Sequence, residues 1–347
     1  MDESGKPYDR STCEILLVDN GSTDRTVQII KKFAMDHPAM DIKVLTENEK
    51  GHIHARITGM RYAIEHRDGP HVLVGIDTDT YFPPSWFQSV LRRLEQENAA
   101  ACGSSGYFPG EMWLRAPKLS EYYLKNVGTL FFDPEAVEKL GAKGKTFLFT
   151  HQIFVDFIRP FSDCAFAIKK EAYLKAGEYR IEYRTDNPSL ELLAEGWRLK
   201  FQLDRLGEKV SYTDEASFVT SPRRFVQDCA GMFNGATYKK MPDYRARLDP
   251  LEFEKLDEVA DKLDFRDLQA YVVRNYMVLP CLTNPALLEK NRHYFEGFFD
   301  EVRIKLFRAR ERLDWRDSNT IFDAGYALTN EFLDRVLPAV ARLGLKG

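Results

Sequence analysis

Cysteine is scarce in this sequence and scattered. Cys13, Cys102, Cys164, Cys229 and Cys281 are odd in number, widely spaced and without a CxxC pair. That excludes a disulfide framework and a structural zinc cluster, and it fits a reducing compartment. Long apolar runs are missing too: none approaches the roughly 18 residues that would cross a bilayer, and the polar opening MDESGKPYDRST is no signal peptide. Neither sign of charge dominates. The formal net charge is −4, whereas a general nucleic-acid binder carries a strong basic excess. No repeat of fixed period and no low-complexity tract is visible. These absences lead us to expect a cytoplasmic protein without nucleic-acid partners or a transmembrane segment. Peripheral association with the inner face of the membrane, and a homo-oligomer, stay open. What is present is 347 residues, 44% of them hydrophobic, enough for one large or two ordinary domains around a sizeable core.

The first half alternates strand-like and helix-like segments. Ile15 to Val18 is a short apolar run that ends in Asp19-Asn20-Gly21-Ser22, which suits a strand buried on both faces. Ser22 or Thr23 can cap a following helix with Val27, Ile30 and Phe33 inward. Ile42 to Leu45 reads as a second strand and Val72 to Ile76 as a third. Between them Ile53, Ile57, Met60 and Ile64 recur at helical spacing. Pro83-Pro84-Ser85 opens another helix, and Gly103 to Gly106 reads as a fourth strand and turn. The middle is irregular, apart from an apolar stretch ending at Ile168, a helix near Lys170 to Ala176, and strand candidates at Lys209 to Tyr212 and Ala216 to Thr220. From about Asp249 the pattern is helical. The alternation predicts an α/β fold with a mixed, mainly parallel sheet flanked by helices. We divide the chain into 1–106, an α/β half, 107–248, a less regular second half, and 249–347, a helical C-terminal subdomain.

Ligands of open parallel sheets bind beyond the carboxyl ends of the strands. Asp19, Glu47 and the pair Asp77 and Asp79 all fall at such ends. Converging carboxylates repel unless a cation or hydrogen-bond donors lie between them, so a divalent metal is a natural occupant. Mn2+ or Mg2+ is held by one or two carboxylates with phosphate oxygens completing the shell, and it offsets charge on a departing diphosphate. Asp77-x-Asp79 is the strongest pair for this chemistry, with Asp79 and Asp77 as metal ligands. His52-x-His54 is not a second metal site, because residues two apart on a helix diverge. Trp86 and Phe87 read as core.

Four blocks in order then carry a resemblance. Glu14 to Thr26, with Val18-Asp19-Asn20-Gly21-Ser22-Thr23-Asp24, resembles the "VDNGSTDGT" segment of family 2 glycosyltransferases. Lys50-Gly51 through Ala55-Arg56 to Gly59-Met60 is similar to that family's next block, and Ile76 to Trp86 to its metal-binding segment. Gly207 to Tyr212, with Ala216 and Ser221-Pro222-Arg223-Arg224, is similar to the end of its catalytic domain. The resemblance implies a GT-A fold and a hexosyltransferase-type enzyme. Such an enzyme moves a sugar, with inversion, from a nucleoside-diphosphate-sugar to a carbohydrate or lipid-linked hydroxyl acceptor, in polysaccharide or glycoconjugate biosynthesis. It implies that Asp19 meets the nucleobase, Asp77 the ribose side, and Asp79 the metal and diphosphate, with Asn20, Lys50 and Thr78 beside the donor. Arg56 either faces the diphosphate or buttresses the sheet edge, and Arg223 or Arg224 can hold the diphosphate, since guanidinium matches phosphate geometry.

An inverting transfer needs a base for the acceptor hydroxyl. The family uses an aspartate after the glycine that closes the acceptor-side helix. Here Gly177 precedes Asp186, the first choice; Glu195 is the rival and Glu191 a third. Three departures stand out. The chain starts just before the family's second strand, so either the start is truncated, another segment substitutes, or the nucleotide site is incomplete. No late histidine serves as a metal ligand unless His151 does. Gln202-x-x-Arg205 is followed by Leu206, not the tryptophan of processive synthases. A catalytically inactive binding or scaffold relative is the alternative. A nucleotidyltransferase would show a glycine-rich loop with a basic residue, and none is found.

Overall fold

The computed structural model describes residues 13–107, 109–123, 161, 165–192, 195–223 and 255–344. β1 (Ile15–Asp19) and β2 (Ile42–Thr46) form a parallel pair joined through α1 (Thr26–Asp36), with Ile15 opposite Ile42 and Asp19 opposite Thr46. α1 starts three residues later than a Ser22 cap implies and two later than a Thr23 cap does. The Ser22 N–H is spent on Asp19 Oδ1 at 3.1 Å, and Asp24 accepts from Thr26 N at 2.9 Å instead. The turn is built around Asp19, not around the helix. Ile30 and Val27 are half-buried, but Phe33 is largely exposed.

α2 (His52–His66) leads to β3 (Val72–Ile76), which heads a second sheet. The order there is β3–β6–β5–β7–β4, with β4 Thr80–Tyr81, β5 Ala101–Tyr107, β6 Ala165–Lys169 and β7 Val210–Thr220. β5 and β7 run parallel, whereas β6 enters antiparallel between β3 and β5, and β4 lies antiparallel on the end of β7. The sheet is therefore mixed, as two separate pieces. An apolar run states that a strand is buried, not which way it runs, so the direction of β6 could not be read in advance. The two β7 candidates are one strand, with an irregularity in its pairing to β5 between Ser104 and Gly106.

α2 joins the two sheets by packing against both β1 and β3. Gly59 lies against β1 so closely that a Cβ there would sit 3.2 Å from Val18 Cγ2. The next residue, Met60, joins Leu73, Phe166, Ile168 and Tyr173 in the core, with Ile57 and Ile64 at its margin. Among the described residues β1 pairs only with β2, and β3 only with β6. The apolar β1 is accordingly only half-buried throughout.

The sheet's other face is covered by α3 (Trp86–Gln96), which buries Trp86, Val90 and Leu94 against Cys102, Ala165 and Phe218. Trp86 Nε1 donates to Ser104 Oγ at 2.7 Å, satisfying the polar end of a buried ring. After α4 (Gly110–Arg115), α5 (Pro117–Tyr123) and α6 (Lys170–Lys175) comes α7 (Glu195–Arg205), a two-faced helix. Leu199 and Leu203 face the sheet core. Phe201 turns the other way, into the helical C-terminal core, where its ring lies 5.6 Å from that of Phe322. That C-terminal part is helical as expected. Its long middle segment is interrupted, however: a 3₁₀ turn (Arg292–Phe295) and Gly297 at φ +86° separate Ala286–Lys290 from Phe299–Glu311. Among the described residues no helix is long and apolar enough to cross a membrane.

Candidate functional site

The ends of β1, β2 and β3 gather around the N-terminal half of α2. Asn20, just past β1, clasps the loop that follows β2: its Nδ2 donates to the carbonyls of Glu47 (3.1 Å) and Glu49 (2.6 Å), and its Oδ1 accepts from Gly51 N (2.8 Å). Glu47 N in turn donates to Asp19 O at 2.8 Å. The Lys50 stem lies over the same turn, its Cε 3.9 Å from where a Cβ on Gly21 would stand. Gly51 holds φ +144°, and a Cβ there would stand 2.6 Å from Glu191 Oε1. A side chain at that position would be both strained and obstructed.

At the end of β3 the chain turns through Asp77 and the exposed Thr78 to Asp79, closed by Thr80 N on Asp77 O at 3.2 Å. Two residues of β4 then pair Thr80 with Thr220 and Tyr81 with Val219 on β7. This brings Ser221 N to Asp79 O at 3.2 Å and Arg223 Nη2 to Asp79 Oδ2 at 2.5 Å. The sequence reading had no β4, since two residues carry no periodicity. That pairing is nevertheless what places Arg223. Arg224 and His151 lie outside the described residues.

Each acidic group at this edge has a protein partner. Arg56 Nη2 donates to Asp77 Oδ1 at 2.5 Å. Thr58 Oγ1 donates to Glu47, and that bond, with the Glu49 N–H, holds the Glu47 carboxyl below the usual carboxylate range. Hydrogen bonds from Ser22 act the same way on Asp19. Arg56 is engaged by Asp77 through Nη2 and by Glu195 through Nε. Asp19 and Asp77 are linked through α2 and not by direct contact. Among the described residues no group of three or more His, Cys, Asp or Glu could hold a metal ion. The set does not fit a cation caged by protein alone. It does fit one that arrives with its diphosphate, since Mg2+ and Mn2+ take one or two carboxylates and phosphate oxygens, and the Asp79 side chain is 36% exposed.

The three carboxylates weighed as bases differ in setting. Asp186 is half exposed and accepts two hydrogen bonds from Arg184, at 2.9 and 2.6 Å. Its loop is tied by Thr185 N to Asn319 Oδ1 of the C-terminal helices. Glu191 stands at the start of α2, 3.7 Å from His54 Nε2. Glu195 is buried against Arg56 and His52. His52 and His54 thus serve different acids, as their spacing predicts. Sequence reasoning missed His52 and Thr58 as members of the site. His52 lies one turn before Arg56 on the same face of α2, and that spacing was its available signal; Thr58, two residues after Arg56, faces another way and had none.

Residues 4–158 match the family described as Glycosyl transferase family 2. No curated protein matches the chain. Among solved structures, the mannosyltransferase PcManGT from Pyrobaculum calidifontis, in complex with GDP-Man and Mn2+, is similar with 16% identity and a TM-score of 0.42, over 94% of this chain and 80% of that one. S. aureus TarS 1–349 has 14% identity and a TM-score of 0.38, over 94% and 84%. GalNAc-T7 with UDP, GalNAc and Mn2+ has 12% identity and a TM-score of 0.39, over 76% of this chain and 52% of that one. Overlaps of this size fix no donor, metal or acceptor. The family match, over residues 4–158 and so somewhat under half of the chain, supports a glycosyltransferase.

Proposed function

We propose that the chain transfers a sugar from a nucleoside-diphosphate-sugar to a hydroxyl of a carbohydrate or lipid-linked acceptor, with inversion at the anomeric carbon. The observation that carries this reading is the end of β3, where Asp77 and Asp79 stand two residues apart, each matched to a guanidinium, Arg56 and Arg223. A donor diphosphate bound there meets hard carboxylate oxygens for Mn2+ or Mg2+ and an arginine fork suited to phosphate. The metal would be held by Asp79, with Asp77 beside it, and would offset charge on the leaving diphosphate. Arg223 is placed to exchange Asp79 for a phosphate oxygen. Asp19, Asn20 and Lys50 shape the far end of the donor site, where the base would lie, with Thr78 exposed at the turn between. The acceptor oxygen attacks the anomeric carbon as the bond to diphosphate breaks, and a carboxylate takes its proton. Asp186, the most open of the three candidates, is assigned that role.

A second reading is favoured by one observation. Both Asp186 and Glu195 are engaged by arginines, as befits a relative that binds a donor without turning it over. A thermal-shift screen of sugar nucleotides with and without Mn2+, followed by product analysis on the best donor, separates the two. Stabilisation with turnover supports the transferase. Stabilisation without turnover, for any acceptor or for water, supports the binding protein. No stabilisation by any sugar nucleotide contradicts both.

A further inference from the structure

One buried ionisable group has no task in that scheme. Glu195 is 3% exposed, the only fully buried acidic residue among the described ones. It is the first residue of α7, and that helix is gripped from both sides, by Leu199 and Leu203 toward the sheet and Phe201 toward the C-terminal core. An isolated carboxylate so deep would not remain charged. This one is held by Arg56 Nε at 2.9 Å and by His52 Nε2 at 3.2 Å from Oε1 and 3.3 Å from Oε2. Burial alone would raise its pKa, but the hydrogen bond and charge of His52 and the charge of Arg56 outweigh it and hold the group well below the usual carboxylate range.

The same guanidinium reaches Asp77 Oδ1 through Nη2 at 2.5 Å. Arginine presents its donors in a rigid planar fork, so fixing Nε fixes the direction of Nη2. Glu195 is too deep to reach an acceptor hydroxyl, as a general base must. We infer that Glu195 is a positioning residue which, through Arg56, sets the orientation in which Asp77 meets the nucleoside-diphosphate donor. This rests on the reading that Asp77 faces the donor.

The test uses the full chain and two readouts. Without ligand, the Arg56 Nε–H resonance, identified by its loss in Arg56→Lys, should be protected from solvent exchange in the wild type. It should lose that protection by about tenfold or more in Glu195→Gln, a change that keeps an acceptor in place. With ligand, calorimetry with UDP and with GDP, each with Mn2+, should show binding weakened by about 10- to 100-fold in Glu195→Gln. It should show no further loss when Glu195→Gln is added to Asp77→Asn. Unchanged protection overturns the inference. So do losses that add in the double variant, as a merely structural role would give, and so does intact binding with turnover abolished, as a base would give. Failure of the wild type to bind either nucleotide sinks the donor site itself and shows in a different arm from failure of the positioning role.

Discussion

Arg223 and Asp79, 144 residues apart in sequence, meet at 2.5 Å because two residues of β4 pair with the end of β7. The pair is partly exposed on both sides, so it can open without stranding a buried charge. A charge-assisted hydrogen bond to phosphate contributes about 1.5–3 kcal/mol. Arg223→Ala should therefore weaken nucleoside-diphosphate binding by about tenfold or more, while leaving binding of the nucleoside alone unchanged. Isothermal titration of both ligands checks this. Equal loss for both would place Arg223 away from the diphosphate.

Gly51→Ala should destabilise the fold by about 1–3 kcal/mol. Its φ of +144° is foreign to alanine, and the new Cβ would meet Glu191 Oε1 at 2.6 Å. Urea denaturation measures the loss. Adding Glu191→Ala should restore part of it, the part due to contact, and leave the part due to backbone strain. A double variant no better than the single would show that strain accounts for the whole effect.

The loop between β2 and α2 should loosen in acid. Glu47 is held below its ordinary pKa by Thr58 and the Glu49 N–H, and Asp19 by Ser22. For depressed carboxylates the sign is fixed: their contribution is complete above the unfolded values, about 4.3 for Glu and about 3.9 for Asp, and is lost as pH falls through the lower folded values. Denaturation midpoints should thus fall below about pH 4 more steeply in the wild type than in Thr58→Val. Parallel acid limbs would remove Thr58 from the account.

The strands of the N-terminal part, and the carboxylates at their ends, were legible because the sequence writes them locally. A buried run such as Ile15 to Val18 or Val72 to Ile76 announces its strand, and the acids follow at the end. Helix α2 was equally readable from the spacing of Ile53, Ile57, Met60 and Ile64. Partnerships across the fold were not. Nothing near Asp79 in sequence names Arg223, and nothing near Arg56 names Glu195, which is brought in by a helix whose opposite face belongs to the C-terminal core. Strand direction in the second sheet also escaped, since β6 shows only that it is buried. Of the residues assigned to the site from sequence, Asp19, Asn20, Lys50, Arg56 and Asp77 gather around α2. Asp186 sits apart, on a loop tied to the C-terminal helices.

The most direct measurement is Mn2+-dependent turnover of a sugar nucleotide by the wild type and by Asp79→Asn, with nucleotide binding followed in parallel. If the carboxylates beyond β3 form the diphosphate rim, the metal stimulates the wild type and the substitution removes that stimulation, while the chain stays folded. Equal Mn2+-dependent turnover in both proteins would contradict the account.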